Sequence, residues 1–367
     1  RGHVATERIW NPRPVIQQAW KLLIANHPHD SICGCSIDET HNDMAPRFDQ
    51  VDQIGQELLN QALNTLTAQV DTRANAQLPE AYAAVTVYNA APVQVTEALD
   101  ISVDLPLGAS SVRVLDADGQ EQKALVYLED GAVREANLIK LSDLQTLLSS
   151  ATSEGRNNEA LVAARLSEED GLPCIEADFS STVKPDEGGL MQTFAELMGF
   201  IAGKDPDTKL KVKSMSLPKA HIRFYASEMP AMGLKTYWIA PSERGGSEQE
   251  ADLEAETIEN EWFKISLEPA WDGSISLLDK RNGRLYKGLN QLVDRGDRGD
   301  EYNYCPPEND QAFSPEIYHA EVIHNDLEDI LYLECRFALP IQLTESRDSR
   351  EEMTEDCPLS MVIKLPK

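Results

Sequence analysis

One stretch of this 367-residue chain gathers side chains able to do chemistry: Asn26-His27-Pro28-His29-Asp30-Ser31-Ile32-Cys33-Gly34. Neutral imidazole is a common metal ligand, and zinc accepts His nitrogen and carboxylate oxygen at about 2.0–2.2 Å. Adjacent residues rarely reach the same ion. The string therefore reads as a single ligand, with the neighbouring carboxylate turned towards a substrate or an outer hydrogen-bond partner. The same residues also read as polar groups at a helix end, His27 and His29 meeting carbonyls and Asp30 capping the loop. A third reading pairs His27 with His29 as the ligands of a metallohydrolase. Cys33 and Cys35 read as free thiols, because one intervening residue is not the two-residue spacing of zinc knuckles or thioredoxin-like sites. His41, further on, reads as a capping or surface group.

Two helices must position this loop. Residues 12–26 predict the first, with Pro12 and Pro14 where a first turn tolerates proline. Ile16, Trp20, Leu23 and His27 follow at steps of four, three and four, on one helical face. The helix should stop near Pro28, since the residue before a proline is pushed out of the α region. Met44, Phe48, Val51, Ile54, Leu58, Ala62, Leu66 and Val70 predict a longer second helix, with Pro46 near its start. Two antiparallel helices bury little alone, so this segment (1–71) calls for a third helix or a neighbouring domain.

Beyond a polar linker at 72–79 the apolar period changes from about 3.6 to 2. Val85 and Val87, Val93 and Val95, Ile101 and Val103, Val112 and Val114 alternate with other residues, broken by Asn89, Pro92, Pro106 and Gly119. This predicts an antiparallel β domain over 80–240, with a helical insertion near 135–203 that includes a core-type stripe from Leu190 to Ile201. Residues 241–255 read as a second linker. From 255 to 367 the pattern is β again, with Asp272-Gly273 and Asn282-Gly283 supplying tight turns. Turn signals at regular short spacing point to the start of a β-sandwich. The fold class expected is α+β multidomain, a helical bundle segment followed by antiparallel β-sandwich regions.

Composition narrows the function. With 33 Lys+Arg against 62 Asp+Glu the formal net charge is -29, read here as a source of solubility. That charge excludes nucleic acid as a partner, which needs a basic surface, and argues against an anionic membrane. No run of about 18 apolar residues suggests a span. The six cysteines are read as free thiols of a reducing, cytoplasmic compartment. The chain opens on Arg1, without Met or a signal peptide, and closes on a strand-like Leu359–Leu365. Both ends read as cut from a longer polypeptide.

Residues 19–34 resemble the zinc-dependent α-mannosidases of glycoside hydrolase family 38. The match runs through Ala19-Trp20-Lys21-Leu22-Leu23, Asn26-His27 and His29-Asp30-Ser31-Ile32, in a spelling close to the bacterial branch with its mannosylglycerate hydrolases. Arg47-Phe48, Tyr88-Asn89, Met232–Tyr237, Glu259-Asn260, Asp272–Ile275 and Gly299-Asp300-Glu301-Tyr302 match in order at lower density. The resemblance implies that His29 is a zinc ligand and that Asp30 faces the sugar. It implies that Tyr302 approaches the same sugar from the β region. It assigns no catalytic nucleophile to this chain, because the family's nucleophilic aspartate and its other zinc ligands lie in an N-terminal catalytic domain. Zinc would thus be shared with the catalytic domain of the same polypeptide, the substrate would be an α-mannoside hydrolysed with retention, and these residues alone would be inactive. Room remains for a homo-oligomer, and for a rival reading as a non-catalytic carbohydrate-binding β protein.

Overall fold

The computed structural model describes residues 11–72, 78–144, 159–243, 250–300 and 302–367. The chain divides into two compact units, one made of Arg1–Ala74 with Asp297–Pro306, the other of Asn75–Gly296 with Pro307–Lys367.

In the first unit, α1 (Arg13–Ala25) begins at the two prolines, whose fixed φ suits a first turn. Pro28, in extended conformation, separates it from the single turn α2 (His29–Ile32). Helix α3 (Asp38–Thr67) starts earlier than its apolar stripe, helped by Asp38 and Glu39 at the positive end of the helix dipole. Pro46 consequently lies inside the helix, past its first turn. Helix α1 packs along α3. None of the α1 side chains is buried, and α3 buries only Met44. The sequence expectation that two helices bury little is met in the described residues.

The second unit holds the β structure, the regions expected at 80–240 and 255–367 together. Its first sandwich pairs a sheet of order β1-β11-β3-β4 with one of order β2-β10-β5. The strands are β1 (Ala83–Tyr88), β2 (Val95–Asp104), β3 (Ser111–Leu115), β4 (Glu121–Gln122), β5 (Ala124–Glu129), β10 (Lys219–Met229) and β11 (Leu234–Ser242). Val103, Val112, Val114, Val126, Ile222, Phe224, Tyr237 and Ile239 fill the space between the sheets. The period-2 pattern is visible in β10, where Ala220, Ile222, Phe224 and Ala226 point inward.

The expected helical insertion is corrected here. Among the described residues of 133–216, β6 (Val133–Lys140), β9 (Lys209–Ser216), β8 (Leu172–Ser180) and β7 (Ala160–Glu169) form a separate four-stranded sheet in that order, with helical residues at 141–144 and the helix α4 (Glu187–Ile201). Strands β8 and β9 run parallel, so α4 serves as their crossover. Of the stripe on α4 only Leu197 is buried, packed with Leu141, Leu144, Ile175 and Leu210, while Met191, Phe194 and Met198 are exposed. Residues 145–158 lie outside the described residues.

The last sandwich joins β12 (Glu250–Asp252), β17 (Glu316–His324), β18 (Glu328–Pro340) and β19 (Thr354–Pro366) to β13 (Thr257–Glu259), β14 (Phe263–Leu267), β15 (Ile275–Asp279) and β16 (Arg284–Leu289). The expected linker is therefore shorter, because β12 already pairs with β17. Both turn signals hold. Gly273 has φ +83°, a conformation that favours glycine, and a Cβ there would push aside the end of the Met361 side chain. Gly283 turns β15 into β16 with φ 71°.

Candidate functional site

The His-Asp loop is held by a polar clamp at the end of α1. Asn26 is fully buried; its Nδ2 donates to the Met44 carbonyl at 2.9 Å, and its Oδ1 accepts from Arg47 at 3.2 Å. That one amide ties the end of α1 to α3. Beyond it, the backbone N–H groups of Ser31 and Ile32 bond the Pro28 carbonyl, and those of Cys33 and Cys35 return to His29 and Asp30. Gly34, at φ 84°, reverses the chain. Buried Ser31 places its hydroxyl 3.4 Å from that of Ser36. The loop is thus closed by hydrogen bonds rather than by a core.

This clamp leaves the chemistry facing outward. The His29 and Asp30 side chains are 92% and 61% exposed, with imidazole Nε2 2.8 Å from Asp30 Oδ1. A carboxylate on one ring nitrogen orients the imidazole, and a metal taken at Nε2 would first have to displace Asp30. Cys33 and Cys35 bring their sulfurs within 3.2 Å, and the Cys33 thiol donates to the His29 carbonyl. The hydrogen bond from Cys35 pushes the Cys33 thiol above its ordinary pKa, which keeps it neutral. All six cysteines are free.

Tyr302 is 74% exposed on the loop Asp297–Pro306, which belongs to the same compact unit as His29 and Asp30. The loop is built by carboxylates. Asp300 Oδ1 accepts from the backbone of Tyr302 and Asn303, both at 2.9 Å, which holds the Asp300 carboxyl below its usual range. Asp297 Oδ1 accepts from Gly299 at 2.8 Å and from Cys305 at 2.9 Å. A Cβ at Gly299 would fall 1.7 Å from the Asn303 carbonyl, so the turn closes only around glycine.

Other segments of the sequence resemblance serve structure. Asn89 donates to the carbonyls of Val93 and Pro230, and its backbone N–H bonds Gly233, so Tyr88-Asn89 and Met232–Tyr237 lock the long-range antiparallel pairing of β1 with β11. Asn260 accepts from Trp262 and Phe263 and donates to Pro366. Among the described residues no group of three His, Cys, Asp or Glu side chains could hold a metal ion. At the His-Asp loop, His29 offers one imidazole and Asp30 one carboxylate. No helix among the described residues is long and apolar enough to cross a membrane.

Comparison with known proteins gives this geometry its setting. Residues 4–66 match the family described as alpha mannosidase middle domain. A protein of Halalkalibacterium halodurans provisionally named mannosylglycerate hydrolase is 24% identical over 318 residues, 83% of this chain and 28% of that protein. The crystal structure of an alpha-mannosidase from Enterococcus faecalis V583 superposes with a TM-score of 0.64 at 19% identity, over 98% of this chain and 36% of that one. A second Enterococcus faecalis structure, of a protein in glycosyl hydrolase family 38, gives 0.62 at 19% identity, over 98% and 38%. At such identities the structures show a shared fold, and the chain spans only about a third of each relative's length. The resemblance read from residues 19–34 holds: residues 4–66 match the alpha mannosidase middle domain, and the chain carries the fold of the matching part of solved glycoside hydrolase family 38 proteins.

Proposed function

We propose that the chain is the sugar-facing support of a zinc-dependent, retaining α-mannosidase, acting with a catalytic domain elsewhere in the same longer polypeptide. The observation that carries this reading is the outward His29–Asp30 pair on a loop clamped by buried Asn26. In this reading His29 supplies one metal ligand. Zinc, when bound, would act as a Lewis acid that positions sugar hydroxyls. Asp30 accepts hydrogen bonds from those hydroxyls, and Tyr302 offers its own hydroxyl and an apolar ring to the same sugar. In this reading the nucleophile and the other zinc ligands come from the catalytic domain, so these 367 residues alone would not hydrolyse mannosides. A cytoplasmic setting suits the free thiols on general grounds.

The test uses the longer protein. His29→Ala should lower zinc content and α-mannosidase activity together, and His27→Ala should do much less. Equal zinc loss from both substitutions would instead favour the paired-histidine metallohydrolase. Asp30→Asn should leave zinc largely bound and lower kcat/KM by about 10- to 100-fold, the value of hydrogen bonds to a charged group at about 1.5–3 kcal/mol. Tyr302→Phe should act in the same direction, more weakly.

A further inference from the structure

The β unit contains a cavity of about 510 Å3, within the range of roughly 300–1,000 Å3 typical of small-ligand pockets. One wall is the outer face of the β2–β10–β5 sheet. There Arg223 stands opposite Asp100, and His221 opposite Tyr127. The other wall is the turn between β17 and β18, with Asn325 and Glu328, and Lys364 of β19.

Two donors of this cavity are built in but not satisfied. Asn325 is 6% exposed. Its Oδ1 closes the turn by accepting from the backbone of Leu327 and Glu328, both at 2.9 Å, while its Nδ2 is buried without a partner. Glu328 is 2% exposed, yet its contacts are long: 3.3 Å to Arg223 Nε, 3.5 Å to Arg223 Nη2 and 3.9 Å to Lys364 Nζ. The Arg223 Nε–H is itself buried without an aligned acceptor, and only its Nη1 has a short partner, Asp100 at 2.8 Å. Buried donors left open are rare in folded proteins, and two of them on one cavity, Asn325 Nδ2 and Arg223 Nε, point to an occupant.

The chemistry selects the occupant. Asp100 and Glu328 balance Arg223 and Lys364, and His221 is already held by Glu129 at 2.7 Å, so the cavity has no net charge with which to hold an ion. Planar donors beside carboxylate acceptors suit hydroxyl groups, which donate and accept at once. The partly exposed Tyr127 ring offers a flat apolar face for the C–H side of a pyranose. We infer that this cavity is a binding site for a neutral pyranoside, contained wholly in the β unit.

The inference goes beyond the mannosidase reading, and its test separates the two. The full chain is titrated with methyl α-D-mannopyranoside and methyl α-D-glucopyranoside by calorimetry and saturation-transfer NMR, with a chelator present to remove any zinc route. Saturable binding of at least one glycoside is expected, weakened at least tenfold in Asn325→Asp and in Tyr127→Ala. Asn325→Asp keeps the oxygen that closes the turn and replaces the open donor by a second carboxyl oxygen. Should circular dichroism show that it misfolds, Tyr127→Ala at the rim decides alone. Absence of saturable binding would mean that water alone fills the cavity, and undiminished binding in the folded variants would place the sugar elsewhere; either result overturns the proposal. Preferential binding of D-glycerate would equally overturn a neutral ligand. The zinc measurements on His29→Ala are independent of all these outcomes.

Discussion

Helix α3 runs for 30 residues and buries one side chain, Met44, whereas the 11 residues of β10 bury Ala220, Ile222, Phe224, Ala226 and Met229. The two units are thus stabilised by different physics. The β unit fills the space between facing sheets, and its order follows from apolar burial at roughly 25 cal/mol per Å2. The helical unit leaves Trp20, Ile24 and Leu59 more than half exposed and fixes its loop through the Asn26 amide and a string of backbone hydrogen bonds. A loop held that way can present polar side chains outward, because nothing in its stability requires them inside. The chemistry proposed for His29 and Asp30 needs that arrangement.

The sharpest way to break this comparison is a truncation in the β core. Phe224 is fully buried, edge-on to Tyr237 with ring centroids 4.9 Å apart. Phe224→Ala should lower the stability of the β unit by about 3–5 kcal/mol, read from the denaturant midpoint of its unfolding transition. A cost below about 1 kcal/mol would mean that the sandwich is loosely packed, and the contrast with the helices would disappear.

The clamp should respond next. Asn26→Ala removes both side-chain bonds at the end of α1 and should cost about 1–3 kcal/mol. The loss should be local: amide exchange over residues 27–37 should accelerate while the β unit keeps its midpoint. Unchanged exchange in the loop would show that the backbone bonds alone suffice.

Charge offers the same contrast with a pH dependence. In β8, buried Asp178 is held by Arg165 at 3.0 Å, while Glu176 takes the same guanidinium at 2.6 Å. Burial raises the Asp178 carboxyl above its ordinary value, and Arg165 only partly offsets this. A raised folded-state pKa means that the native protein takes up this proton before the unfolded chain does. The ionised group therefore costs stability at neutral pH, and that cost is relieved as pH falls into the carboxylate range. Arg165→Ala removes the offset. It should destabilise by about 1–2 kcal/mol at pH 7, a value discounted because Arg165 is itself half exposed, and by less on acidification. A loss that grew as pH fell would reverse the assigned cause.

Much of this division was legible in the sequence. The stripe Ile16, Trp20, Leu23 and His27 marks α1, the valine pairs mark β1, β2 and β3, and Asp272-Gly273 and Asn282-Gly283 mark turns. Strand β7, Ala-Leu-Val-Ala-Ala-Arg-Leu-Ser-Glu-Glu, was not legible, because its residues are helix formers and only pairing with β8 draws them into a sheet. His29 and Asp30 stand out because they are neighbours in a short polar string. The grouping of 297–306 with the helices depends on contacts distant in sequence, and so do Arg223, Asn325 and Glu328, which share a cavity but no motif.

The smallest expected effect tests the helical side of the comparison. Trp20 is 57% exposed on α1, so Trp20→Ala removes little buried area in this chain. Ala is also the better helix former, which offsets part of whatever contact is lost. The net change in stability should stay within about 0.5 kcal/mol, as for most exposed substitutions. The same change would cost several times more at a buried aromatic. Measuring Trp20→Ala beside Phe224→Ala by denaturant unfolding therefore compares one chemistry in two environments. Equal losses would mean that the α1 stripe is buried in solution, and that the helical unit has an apolar core after all.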